Sequence, residues 1–146
     1  MDSPSREARE GGILSGWKSV SEKILLEKTY VFLEWSSVRI AKFPKDHKYT
    51  LGNRLSNSLY DFLEGLIYLY GDAELRGLRR LSKKLDIIRY YIRLSMDLKI
   101  LSIEQYACAA ERIDEIGRLL GGWIKAFRSK KDFRQGADAE AQGDPV

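Results

Sequence analysis

The chain contains little of what usually carries covalent or metal chemistry. Cys108 is the only cysteine among 146 residues, so an intrachain disulfide is impossible and a structural zinc site is effectively excluded. His47 is the only histidine. It stands among Lys45, Asp46 and Lys48, with no serine or cysteine placed by spacing as a nucleophile, and reads as a surface residue rather than a general base. Glu111, Asp114 and Glu115 cluster, but no Glu-x-x-His pair accompanies them, and helical ion pairs to Arg112 and Arg118 account for the grouping. Gly121-Gly122 falls inside a helical pattern, without the strand and lysine of a phosphate loop. The expectation is a protein without catalytic residues, metal or cofactor. Apolar runs such as Leu66 to Tyr70 are far shorter than the ~20 residues that cross a bilayer, and no apolar stretch suited to a secretory signal follows Met1. These absences predict a cytoplasmic protein with no membrane contact.

What remains is enough for one domain. The chain is 44% hydrophobic and 11% aromatic, and its length suits a single core. Residues 1–16 and 132–146 are rich in small and charged residues and cannot bury enough apolar surface to offset ordering entropy, so both read as disordered tails around a domain at 17–131.

Strand signals are few, and four helical segments fill the domain. The first spans about Ser19 to Ala41, with Val20, Ile24, Val31, Trp35 and Val38 on one side and Leu26, Leu33 and Ile40 on another. It stops before Phe43-Pro44, because proline restricts the preceding residue and lacks an amide proton. Thr50 is the expected N-cap of a second helix over about Leu51 to Tyr70. Its inward stripe is Leu51, Leu55, Leu59, Phe62, Leu66 and Leu69, and Gly71-Asp72 ends it. A third helix runs from near Ala73 to near Ile100. Ser102 and Gln105 form a capping box that starts a fourth near Ile103. There Tyr106, Ala110, Ile113, Gly117, Leu120 and Ile124 face inward, widened by Ile116, Trp123 and Phe127. Gly117, Gly121 and Gly122 each cost about 1 kcal/mol against alanine in a helix, which implies a packing reason for them. Short connections make neighbouring helices antiparallel, so the predicted fold class is all-α, an up-down-up-down four-helix bundle.

The third helix has two apolar faces. Leu75, Leu78, Leu81, Leu85, Ile88, Ile92 and Met96 form a core stripe at about 100° per residue, while Ile87, Tyr91, Leu94 and Leu98 lie on the far side. A helix on a small monomer needs only one such face, so the second predicts a homo-oligomer, with Leu26 and Leu33 of the first helix as further interface candidates. Charge is concentrated on the same element. The whole chain carries +4, residues 18–131 carry +8, and residues 74–99 alone carry eight basic and three acidic side chains. Arg76, Arg79, Arg80, Lys83 and Lys84 occupy a broad arc, with Tyr90 and Tyr91 one to two turns further on. Lys42, Lys45, Lys48 and Arg54 form a second basic group around the first loop. Guanidinium groups bind phosphates in a bidentate way, and a local positive field attracts polyanions. The alternative reading of both groups is a solvated, solubilising surface. Arg89 and Arg93 lie beside the core stripe, placed to pair with acids at its edge or across a subunit contact.

Three segments carry a family resemblance: KFPKDHKYTLGNRL at 42–55, IIRYYIRLSMDLKILSIEQY at 87–106 and ERIDEIGRLLGGWIKAF at 111–127. Over roughly residues 18–128 the chain resembles Avd, the accessory variability determinant of diversity-generating retroelements. The resemblance implies a four-helix bundle that assembles into a basic, barrel-like homopentamer. It also implies binding to a reverse transcriptase and to RNA or DNA, in support of mutagenic cDNA synthesis and without catalysis by the protein itself. The Phe-Pro loop is similar as well to the broader group of four-helix bundle proteins encoded by ribosomal RNA intervening sequences. That group tends to carry Thr-x-Gln-x-Arg after the loop, where this chain has Thr50, Leu51, Gly52, Asn53 and Arg54. The alternative it offers is a structural homo-oligomeric bundle with no retroelement role.

Overall fold

The computed structural model describes residues 20–141, and among these it contains helices and no strand. The tail expected at 1–16 lies outside the described residues. Four long helices carry the fold: α1 (Val20–Ala41), α2 (Asn53–Tyr68), α3 (Leu75–Asp97) and α4 (Ile103–Ala141). Each packs on the next, and α4 closes against α1, so α1 and α3 occupy opposite corners of an up-down-up-down bundle. Cross-helix ion pairs tie three of the four seams: Lys28 to Glu115 at 3.3 Å, Lys84 to Asp61 at 3.5 Å, and Arg89 to Asp114.

The core is continuous along the bundle. All six inward residues expected on α2 are buried, as are Leu78, Leu81, Leu85, Ile88 and Ile92 of α3 and Ile113, Ile116 and Leu120 of α4. Each fully buried leucine, isoleucine or phenylalanine contributes roughly 1.5–3 kcal/mol relative to exposure. Gly65, Gly77 and Gly117 permit the close approach of neighbours. A Cβ on Gly65 would lie 2.5 Å from Leu81 Cδ2, and one on Gly117 would lie 2.7 Å from the Arg89 guanidinium. Gly121 and Gly122 meet nothing within 4 Å, so the packing reason expected for Gly117, Gly121 and Gly122 holds only at Gly117.

The helix ends follow local chemistry. Ser102 Oγ accepts from the Gln105 amide at 3.1 Å while Gln105 Oε1 accepts from the Ser102 amide at 3.0 Å, the reciprocal capping box. After α3, Lys99 takes a left-handed φ of 61°, its amide donates to Met96 O, and the Ile100 amide donates to Ser95 O, which caps the helix in a Schellman turn. Gly71, at φ 75°, takes the left-handed position in the turn after α2, where the Asp72 amide donates to Leu69 O at 3.3 Å. Thr50 does not cap α2. It lies in a π-helical turn, Lys48–Gly52, that follows a one-turn helix at Lys45–His47, and its hydroxyl donates to His47 O at 3.4 Å.

Three further expectations are corrected. On α1 the buried line is Leu25, Thr29, Phe32, Leu33, Ser36 and Ile40, whereas Ile24, Val31 and Val38 are exposed. Leu33 therefore belongs to this subunit's own core, because the three packed neighbours select the side on which Phe32 and Leu25 also lie. On α4 the fully buried small residue is Ala109 rather than Ala110. Finally, α4 continues to Ala141, past the tail boundary set at residue 132. Ala137, Ala139, Glu140 and Ala141 are strong helix formers, and they extend a helix already nucleated on the bundle.

Candidate basic surface on the third and fourth helices

Turning 100° per residue from the buried line of α3, the side facing away from the core carries two different surfaces in sequence. Its first half presents Arg76, Arg79, Arg80 and Lys83, all exposed. Its second half presents Ile87, Tyr90, Leu94 and Leu98, with Tyr90 69% accessible and the three aliphatic residues 42–44% accessible. Among the described residues no carboxylate lies within 4.0 Å of the four cations. Mutual repulsion without a compensating partner leaves a local positive potential over this half of the helix.

Two members of the expected arc and stripe go elsewhere. Lys84 is half-buried and reaches Asp61 on α2 at 3.5 Å, so its charge is neutralised within the bundle. Tyr91 packs against the core as a half-buried residue, and Tyr90 takes the outward place assigned to it. Leu26 is also half-buried. Arg89 pairs with Asp114 on α4, and Arg93 lies 3.9 Å from Asp97 one turn along its own helix. The acids of α4 are thereby paired across helices, Asp114 to Arg89 and Glu115 to Lys28, rather than along the helix to Arg112 and Arg118. Arg112 instead sits 5.8 Å from the Trp35 ring, whose centroid lies 4.5 Å from Arg39. Among the described residues no group of three or more His, Cys, Asp or Glu side chains could hold a metal ion.

The two basic groups do not converge. The Lys84–Asp61 pair fixes the register of α2 against α3. From that level Arg54 lies seven residues toward one end and Arg76 eight residues toward the other, a separation of about 20 Å along the bundle at 1.5 Å per residue. Lys45 and Lys48 lie further still, in the segment before α2. The end that holds Arg76 and Arg79 gains other cations instead. Lys125, Arg128, Lys130 and Arg134 are exposed on α4, and Lys130 and Arg134 line a cleft of about 510 Å³ together with Glu74 and Leu75 at the start of α3. Carrying the fourth helix on past Phe127, through the boundary at 132, would have revealed this group in the sequence.

The described residues form an all-helical bundle with one basic end and an apolar stripe on the outer side of α3. The bAvd-like family model matches residues 23–127, so the chain belongs to the bAvd-like family, and it is an Avd-type accessory protein of diversity-generating retroelements. No curated protein and no solved structure matches it. No helix among the described residues is long and apolar enough to cross a membrane.

Proposed function

We propose that this protein is the non-catalytic accessory factor of a diversity-generating retroelement, binding the element's reverse transcriptase and its template RNA or cDNA through a basic surface and thereby supporting mutagenic cDNA synthesis. It acts as a homo-oligomer, with five subunits by resemblance to the family. The observation that carries this reading is the coincidence of the family match with exposed cations that have no carboxylate within 4.0 Å among the described residues. Arg76 and Arg79 at the start of α3, joined by Lys125 and Arg128 on α4, form the polyanion-facing end. Bidentate guanidinium contacts hold phosphates without reading base edges, so binding is to backbone rather than to sequence.

The test is a triple variant, Arg76→Glu, Arg79→Glu and Lys125→Glu. These side chains are exposed, so helicity by circular dichroism stays at the wild-type level. Retention of a reverse transcriptase in co-purification and of RNA in a filter assay is expected to fall at least tenfold. Undiminished capture of both would reject the surface, and a protein that never co-purifies with a reverse transcriptase would return the structural-bundle alternative.

A further inference from the structure

The two most exposed aromatic side chains among the described residues, Tyr68 at 83% and Phe133 at 79%, both lie at the basic end of the bundle. Neither belongs to the core. At 100° per residue Tyr68 points about 160° away from the buried Leu66 on α2, and Phe133 about 140° away from the buried Leu120 on α4. Both rings therefore face outward from the bundle. Phe133 also lies past residue 127, where the family match ends, so it belongs to this chain's own continuation of α4.

The register of the helices sets cations between the two rings. A Cβ on Gly77 would lie 2.6 Å from Leu69 Cδ2, so the end of α2 packs at the level of Gly77, and Tyr68 stands within a turn of the level of Arg76 and Arg80. Counted from the Arg89–Asp114 pair, Arg79 is level with Ile124 and Arg76 with Phe127, which puts Lys125 and Arg128 one residue from those levels. Phe133 follows Arg128 by about 8 Å along the helix at 1.5 Å per residue, past the level at which α3 begins. A band thus crosses three helices, with a ring on α2, guanidinium groups on α3, cations on α4 and a second ring beyond them. Glu64, one turn before Tyr68, marks its edge on α2.

We propose that this band holds an unpaired nucleic-acid strand, with one base stacked on Tyr68, another on Phe133, and the phosphates between them against the cations. This rests on the polyanion reading of the basic end and narrows it from any polyanion to single strands. Every base has a π-face, so stacking on an aromatic ring tolerates any sequence. In a duplex those faces are covered by neighbouring bases, whereas in a single strand they can be splayed out. A duplex therefore offers its phosphates to the cations and leaves both rings without a partner. The pattern also differs from a protein-docking patch, in which apolar side chains are contiguous. Here the two rings are held apart by charge.

The experiment measures binding of the full chain to a mixed-sequence strand of about 12 nucleotides and to the same sequence as a duplex, for the wild type, Tyr68→Ala, Phe133→Ala and the double variant. Each alanine is expected to weaken single-strand binding at least about fivefold, and the pair more than either alone, while duplex affinity stays within about twofold of wild type. The dependence on salt is expected to stay the same, since no charge is removed. Tyr68→Phe and Phe133→Trp keep a ring and are expected to keep single-strand affinity, which separates stacking from a change in the helix. RNA and DNA strands are tested in parallel: equal losses assign the rings to unpaired bases of either kind, and a loss with one alone assigns them to that strand. Undiminished single-strand affinity in the alanine variants, a duplex weakened as much as the strand, or ring-keeping variants as weak as alanine would each overturn the stacking while leaving the basic end standing. A wild type that binds neither strand nor duplex overturns both.

Discussion

Helices α2 and α3 lie side by side, share similar buried stripes, and differ in what they turn toward solvent. On α2 the side away from the core carries Asn53, Arg54, Asn57, Tyr60, Asp61 and Glu64, a mixed polar surface until Ile67 and Tyr68 are exposed in the last turn. The same side of α3 is sorted along its length into a cationic half and an apolar half. Folding of one chain demands only the inner stripe. Packing of one subunit does not require the sorted outer side of α3, and the proposal that this helix meets a partner rests on it.

Truncating each side of α3 is the strongest way to test that division. Leu78→Ala removes a side chain with no exposed surface and is expected to lower unfolding free energy by about 2–5 kcal/mol in urea titration. Leu94→Ala, at 42% accessibility, is expected to change the stability of the isolated fold by no more than about 0.5 kcal/mol. Equal losses at the two sites would abolish the distinction between an inner and an outer face.

Glycines sharpen the same comparison at smaller scale. Gly65→Ala forces a Cβ to within 2.5 Å of Leu81 Cδ2, so the buried Leu81 side chain must shift within the packed core. Overpacking of about 1–3 kcal/mol there exceeds the ~1 kcal/mol gained in helix propensity, so the melting temperature should fall. Gly121→Ala meets open space and should instead add up to about 1 kcal/mol. A gain of similar size is expected at Ser36, whose buried hydroxyl has no hydrogen-bond partner among the described residues. Ser36→Ala should stabilise by about 1 kcal/mol, because a desolvated and unsatisfied group is removed. Two other buried hydroxyls are unlike it: Thr29 and Ser95 donate to carbonyls one turn back, both at 2.8 Å.

What was legible in the sequence divides along similar lines. The α2 stripe could be read residue by residue because its large aliphatic side chains fall on one side only. The capping box at Ser102 and Gln105 was legible because both partners lie within one turn. The orientation of α1 was not, since Ile24, Val31 and Val38 rival Leu25, Phe32 and Ile40 in hydrophobicity and small hydroxyls at Thr29 and Ser36 disguise the buried line. Only contact with the neighbouring helices decides between the two sides. The basic site was half legible. Arg76, Arg79, Arg80 and Lys83 share a face by periodicity alone, but the loss of Lys84 to Asp61 depends on the register of α2. Likewise, the distance between Arg54 and Arg76 depends on chain reversal, and the arrival of Lys125 and Arg128 depends on α4 returning antiparallel to α3.

The central claim is that the basic end of the bundle holds the phosphates of a polyanion. It is tested most directly by measuring the binding constant for a single-stranded RNA across a range of salt concentrations, in the wild type and in the Arg76→Glu, Arg79→Glu, Lys125→Glu variant. The wild type is expected to show a logarithmic slope of about −0.7 for each phosphate neutralised, and the variant a line shallower by about two such increments or more. A wild-type affinity indifferent to salt, or a variant with an unchanged slope, would contradict the account.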